Sequence, residues 1–289
     1  MTKIAVLTNS SSYLTVEELK DLNITALNDP IMMGSKQFFE GVSWASQAEF
    51  YQFQKEADPA LTTSQIAPGV IEQKLADLAE AGYTDVIFVA ISSGISGLVS
   101  TLTAMTDTAP VKLHVWDSKI AAKAAGNQAK LAAILVQAGK DVSEILQQLT
   151  ILRASTDVRF VVDDVRHLQR TGRLSNGAAL VGSLLNIKPM LTFNEEAKIV
   201  AIGKERQMKR AWNNIQKVLA EELARVTYPI RVTIVDGNNP ALADAWAKEL
   251  VASQPSLIVE RSIIGPYIGV HTGEKAMGVI WARDYESLL

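Results

Sequence analysis

The fold is decided by the run Asp85-Val86-Ile87-Phe88-Val89-Ala90-Ile91, which passes directly into Ser92-Ser93-Gly94-Ile95-Ser96-Gly97. The apolar, β-branched segment reads as a buried strand. Three hydroxyls and two glycines then lead into the next helix, and glycine lets backbone amides approach a bound anion closely. Two readings of the loop stand side by side: a cradle for a small anion at the carboxyl edge of a sheet, and a tight strand-to-helix turn capped by serine.

Around this run, Lys3 to Leu7, Val111 to Trp116 and Val158 to Val162 are further strand patterns. Helical patterns lie between them. Thr15-Val16-Glu17-Glu18 has capping-box spacing, and Gly69 to Ala81 and Ala121 to Ala138 carry two more helices. Strand alternating with helix predicts an α/β domain over 1–160, with a mainly parallel sheet, helices on both faces and right-handed crossovers.

Beyond residue 160 the texture changes. A hairpin is expected from Lys188 to Gly203, turning at Asn194-Glu195-Glu196, then a helix with Met208, Trp212, Ile215 and Leu219 on one face. Ile230 to Val235, Leu257 to Ile263 and Met277 to Trp281 read as strands, with a helix over Ala241 to Ala252. An α+β domain on a mixed sheet is expected over 161–289. No low-complexity linker separates the halves, so they should pack closely, and there is no internal repeat.

With 289 residues, 48% hydrophobic and 20% charged, the chain is globular and of a length for two ordinary domains. Its 28 basic and 31 acidic residues give no electrostatic reason to bind nucleic acid or an anionic membrane. The absence of cysteine removes disulfides, thiolate metal sites and a cysteine nucleophile. Met1 to Leu7 is too short an apolar run for a signal sequence, and no run approaches the roughly 20 residues of a membrane span, so a cytoplasmic protein without stable membrane insertion is expected.

Spacing removes several chemistries from the Ser92 to Gly97 loop. Gly94-Ile95-Ser96-Gly97-Leu98 lacks the last glycine of a nucleophile elbow, and there is neither a Walker lysine nor a dinucleotide fingerprint. Thr62-Thr63-Ser64-Gln65 before Pro68-Gly69, and Thr8-Asn9-Ser10-Ser11-Ser12 after the first strand, are further hydroxyl clusters that could converge at the same edge. Each is also an ordinary helix cap.

There are three histidines. His114 lies in a strand pattern and reads as structural, and His167 among Arg166 and Arg170 reads as solvated. His271, in Gly269-Val270-His271-Thr272-Gly273, reads as part of a flexible turn, without a carboxylate at metal-ligand spacing. No metal or cofactor is expected. Two basic groups, Arg166 to Arg173 and Lys204 to Arg210, are solvated faces or anion-steering ones. Between them Ala178 to Ile187 is apolar and small, either a core helix or the wall of an apolar tunnel through Ala179, Leu180, Leu184 and Ile187.

Taken in order, Thr8-Asn9-Ser10-Ser11, Thr63-Ser64-Gln65 with Pro68-Gly69, Ser92 to Gly97, Trp116-Asp117-Ser118, Leu168 to Ser175, Gly182 to Pro189 and His271-Thr272-Gly273 with Gly278 resemble the DegV family of bacterial fatty-acid-binding proteins. The resemblance covers the whole chain. It implies a two-domain DegV-type fold enclosing one long-chain fatty acid, the tail in an apolar tunnel and the carboxylate between the domains. Members of one type are the binding subunits of a fatty-acid kinase: they present the carboxylate for phosphorylation by a separate catalytic subunit, and the acyl phosphate feeds phospholipid synthesis. Such a protein is a carrier and not an enzyme.

By the same resemblance Thr63, Ser93 and His271, with Ser64 and Ser96 close by, hold the carboxylate. Arg170 and Arg206 match basic positions near the head group or the kinase-docking face. Two departures stand out. Asn9 replaces the usual Asp of Thr-Asp-Ser-Ser, exchanging an acceptor oxygen for a donor amide. Ile66-Ala67 precedes Pro68 and alters the turn slightly. From other classes, a serine hydrolase or acyl transferase using Ser93 or Ser96 with His271, and a binder of phosphorylated metabolites, remain as alternatives.

Overall fold

The computed structural model describes residues 2–175 and 187–289. Its first sheet contains β1 (Ile4–Asn9), β2 (Ile24–Leu27), β6 (Asp85–Ala90) and β7 (Lys112–Asp117), all parallel, in the order β2-β1-β6-β7. Val86 to Ala90 are all buried, as a central strand covered on both faces requires. The alternation of side chains sorts the two faces. Leu7 and Phe88 meet α2 (Gln47–Glu56), α3 (Pro68–Glu80) and α4 (Leu98–Met105), whereas Val6, Ile87 and Val89 meet α5 (Lys123–Gln137) and α6 (Val142–Ala154). The expected capping box is present: Thr15 accepts from the Glu18 amide and Glu18 from the Thr15 amide at the head of α1 (Val16–Asp21).

A second sheet runs β10-β9-β8-β13-β11-β12 and is mixed. Its strands are β8 (Asp157–Val161), β9 (Lys188–Phe193), β10 (Ile199–Glu205), β11 (Ile230–Asp236), β12 (Ile258–Ile263) and β13 (Met277–Arg283). Only β11 and β12 pair in parallel. The strand read at the end of the first half, β8, hydrogen-bonds β9 and β13 in this sheet. One face is covered by α8 (Met208–Leu223) and α9 (Pro240–Ser253), whose Trp212 and Trp246 rings stack at 4.4 Å. On the other face Val158, Phe160, Val235 and Ile280 pack against Ile120, Ala124 and Ala125 of the first half, so one apolar layer joins the two sheets.

Several elements escaped the sequence reading, β2, α2 and α6 among them. A small antiparallel sheet, β4-β3-β5, is made of β3 (Pro30–Met33), β4 (Lys36–Phe39) and β5 (Thr62–Thr63), pieces too short to show a period. The segment around His271 is not a flexible turn but the last turn of a buried helix, α10 (Pro266–Thr272). Pro266 at its first position and Gly273 at φ +72 just past its end delimit it, so Gly273, which read as part of the loop, acts as a helix stop. Gly269 lies so close to Phe50 and Tyr51 that a Cβ would come within 2.8 Å of each ring system.

Helix α10 also ties the halves together. Glu40 accepts the Tyr267 amide at its N-terminus, Tyr51 donates to the Ile264 carbonyl at 2.9 Å, and Gln47 donates to the carbonyls of Asp236 and Ile264. The Ser92 to Gly94 loop makes a second tie. Ser92 Oγ donates to the Ala197 carbonyl at 2.6 Å in the β9–β10 turn, and a Cβ on Gly94 would collide with that carbonyl. The glycine of the opening motif thus serves backbone-to-backbone docking.

This contact predicts that Gly94→Ala lowers stability by roughly 1–3 kcal/mol through overpacking. Gly69→Ala, in the first turn of α3 with open space around it, should be neutral or slightly stabilising. Urea unfolding of both variants checks the contrast; equal effects would contradict it. Burial pushes the Glu40 carboxyl up to about 8, with Asp29 adding to the shift against the hydrogen bond from the Tyr267 amide. A folded pKa above the unfolded one gives stability that is present at low pH and lost as pH rises through the folded value. The wild type should therefore lose on the order of 2 kcal/mol between about pH 6.5 and 8.5, and Glu40→Gln should flatten that slope. Parallel slopes in the two proteins would refute the assignment.

Candidate functional site

Helix α10 sets Tyr267 and His271 one turn apart on one face, and β5 brings Thr63 alongside. Thr63 Oγ1 and His271 Nε2 are 2.8 Å apart, and the Tyr267 and His271 rings meet edge-on with centroids at 6.3 Å. The Tyr267 hydroxyl donates to the Ser64 carbonyl at 3.2 Å and also lies within hydrogen-bonding reach of the Thr63 and Ser96 side chains. Three elements distant in sequence thus assemble one imidazole and three hydroxyls.

The electrostatics favour an anion. His271 is 9% exposed, and its pKa is pushed down to about 3, first by burial and then by Arg173, Arg170 and His167. At neutral pH the ring is uncharged. Its Nδ1 is buried without a partner, while Nε2 is engaged with Thr63. Burial also pushes the Tyr267 phenol well up, so it remains a hydroxyl donor. Positive charge comes from guanidiniums beside the cluster: Arg170 donates to the Leu61 carbonyl at 2.9 Å and Arg173 to the Ile95 carbonyl at 3.4 Å.

Not every expected residue joins the cluster. Ser93 is exposed, and its hydroxyl donates to Asp117 Oδ2 at 2.5 Å while its amide donates to Oδ1, so the carboxylate next in the β7 turn holds it. Ser64 is exposed with its hydroxyl turned to the Gln65 carbonyl. Ser96 Oγ accepts the Leu98 amide at the head of α4 and stays beside Tyr267. Arg206 is exposed just past β10. His167 is half-buried, not solvated, in α7 (Arg166–Arg170), with Nδ1 unpartnered and its pKa lowered by burial.

Tyr267 and Arg173 were missing from the expected site. The signal for Tyr267 was its four-residue spacing from His271, which has meaning only once the segment is read as a helix.

The cluster adjoins an apolar cavity of about 70 Å³ that presents no polar surface. Ile268 and Thr272 of α10 line it, with Ile95 from the opening loop and Phe160, Ile264 and Ile280 from the second half. Of the residues expected to form a tunnel, Ile187 packs against the apolar layer that holds this cavity. Ala179, Leu180 and Leu184 lie outside the described residues. Among the described residues no cluster of metal-ligating side chains occurs, and no helix is long and apolar enough to cross a membrane.

Asn9 finds a use for both ends of its amide. Its nitrogen donates to Asp29 Oδ2 at 2.8 Å and to Ser11 Oγ at 2.6 Å, and its oxygen accepts the Ile91 amide. An aspartate there would set two buried carboxylates face to face.

The family model described as "Uncharacterised protein, DegV family" matches residues 3–284. A DegV domain-containing protein of Listeria monocytogenes is 36% identical over 281 residues, covering 97% of this chain and 98% of that protein. Among solved structures, DegV from Bacillus subtilis, described as a fatty acid binding protein, matches with a TM-score of 0.88 and 31% identity over 98% of this chain and 100% of its own. A fatty acid binding DegV family protein from Streptococcus agalactiae gives 0.89 at 28% identity, covering 98% and 99%. A match across nearly the whole length, by sequence and by fold together, means that this chain belongs to the DegV family.

Proposed function

We propose that this protein binds one long-chain fatty acid, with the carboxylate at Thr63, Ser96, Tyr267 and His271 and the tail in the apolar cavity, and that it presents the carboxylate to a separate fatty-acid kinase. The observation that carries this reading is the continuity of α10: one face bears His271, hydrogen-bonded to Thr63, and Ile268 and Thr272 of the same helix line a cavity without polar surface. The descriptions of the Bacillus subtilis and Streptococcus agalactiae relatives as fatty acid binding support it.

Burial of methylenes at about 0.8 kcal/mol each gives a chain of roughly 15 carbons on the order of 12 kcal/mol, before association costs. The tail supplies affinity. A cavity of about 70 Å³ has room for only part of such a chain, so binding spreads the isoleucine walls. The head group supplies orientation, through hydroxyl and imidazole donors worth about 1.5–3 kcal/mol each to a charged partner. Arg170 and Arg173 compensate the anion's charge, which is costly to bury unpaired.

A hydrolase needs a base poised near the working pH and oriented by a third group. Here the imidazole titrates at about 3, its second nitrogen has no partner, and Ser93 is bound to Asp117 instead. These features favour holding a carboxylate over attacking one. The exposed Ser64 next to half-buried Thr63 supports a head group near the surface, within reach of a second protein.

Protein purified from bacteria should carry close to one fatty acid per chain by mass spectrometry of the extracted lipid. A ligand-free preparation that fails to take up fatty acid would sink the reading. His271→Ala and Thr63→Val should each slow kinase-coupled phosphorylation of bound acid by tenfold or more, while affinity for the acid falls by less, because the tail dominates binding. Equal losses in the two measurements would count against a presenting role.

A further inference from the structure

The apolar cavity does not end on solid protein. Ile268 and Thr272 line it beside His271 on α10; Ile120, Val158 and Phe193 also line it, and the same three side chains line a separate polar cleft of about 490 Å³. Phe193 is the last residue of β9, half-buried, with its ring 6.4 Å from Phe160 and tilted by 42°. Behind it the β9–β10 turn begins at Asn194, which belongs to the cleft.

The cleft's charges are matched: Lys119 and Arg153 on one side, Asp157 and Glu195 on the other. Arg153 is already engaged, donating to the Asp117 carbonyl and lying 4.0 Å over the Trp116 ring, and Asp157 is paired with Arg159. What remains for a ligand are Lys119 and Glu195, of opposite sign, together with the Asn194 amide nitrogen and the acceptor lone pairs of Thr150 and Thr156, whose hydroxyls donate to the Leu146 and Leu152 carbonyls.

We infer that Phe193, with Ile120 and Val158, is the partition that sets the length of acyl chain the protein accepts, and that the cleft beyond receives the far end of longer chains or of chains ending in a hydroxyl. The inference rests on the fatty-acid reading above. It makes Phe193 a specificity-determining residue acting on the tail, at the opposite end of the ligand from His271. A hydroxyl confined to the apolar cavity has no partner, whereas beyond the partition it meets hydroxyl and amide groups. The balance of charge there suits a neutral terminus and disfavours a second carboxylate.

The test measures binding of saturated acids of roughly 14 to 22 carbons, of 16-hydroxyhexadecanoic acid and of the matching dicarboxylic acid to delipidated wild type, Phe193→Leu, Phe193→Ala and Ile120→Ala. With two further methylenes buried, Phe193→Ala should raise the preference for the longest acids over hexadecanoic acid by about tenfold. It should raise relative affinity for the ω-hydroxy acid similarly and leave the dicarboxylic acid disfavoured. Phe193→Leu and Ile120→Ala should move the same ratios in the same direction by less, and they carry the test should the alanine at 193 not fold. Ratios unchanged within twofold in every folded variant, while wild type binds hexadecanoic acid, would overturn the partition alone. Wild type that binds no acid of any length would overturn the fatty-acid reading and the partition with it.

Discussion

A buried helix end must find partners for its free amides, and in this protein that requirement falls on α10. Its N-terminus is sealed by Glu40, a side chain from the first half that is itself 4% exposed, and its flank is closed by Tyr267 and Val270 in the first half's core. The strands on either side of α10 in sequence, β12 and β13, belong to the second sheet. The helix is therefore a peg from one half seated in the other. Everything at the site follows from that seating: the meeting of His271 with Thr63, the neutrality of the imidazole, and the apolar cavity along the helix's far side.

That neutrality decides what the site can do. A charged histidine would bind an anion strongly but would carry its own desolvation cost in this surrounding. Burial and two arginines instead hold the ring uncharged, so it serves as a hydrogen-bonding group of fixed position while the guanidiniums provide the field. Separating charge from contact in this way would leave the proposed carboxylate oriented by short neutral donors, with the cations beside them. On the proposed reading the tail's contribution exceeds any of these terms, which would let the head group be tuned for presentation without loss of retention.

Most of the fold was legible in the sequence because it rests on long, strongly periodic segments: the apolar run of β6, the Thr15 capping box, the β9–β10 hairpin and the face of α8. The family resemblance carried the pairing of Thr63 with His271, which local pattern alone cannot supply across 208 positions. What failed has physical reasons. The strands of the third sheet are two to four residues long, below the length at which alternation can be counted. Gly269 and Gly273 were read as loop formers, when the first lies inside α10 and the second bounds it. Ser93 entered the expected site through the resemblance, and no local pattern announces that Asp117, at the end of the neighbouring strand, accepts its hydroxyl. Asn9 was read as a weaker aspartate, and Asp29, whose proximity no pattern announces, makes the amide the better choice.

The loop that follows β6 turns out to work in two directions at once. Ser96 lies with the head-group cluster, while Ser92 and Gly94 hold the turn of the hairpin whose strand ends in Phe193. Ile95, between them, lines the cavity itself. A six-residue segment therefore borders the polar cluster and the cavity and, through the Ala197 carbonyl, holds the hairpin whose first strand ends in Phe193. On the fatty-acid reading, the tail space and the hydroxyls proposed to hold the carboxylate thus share a stretch of chain too short and too closely packed to move in independent parts.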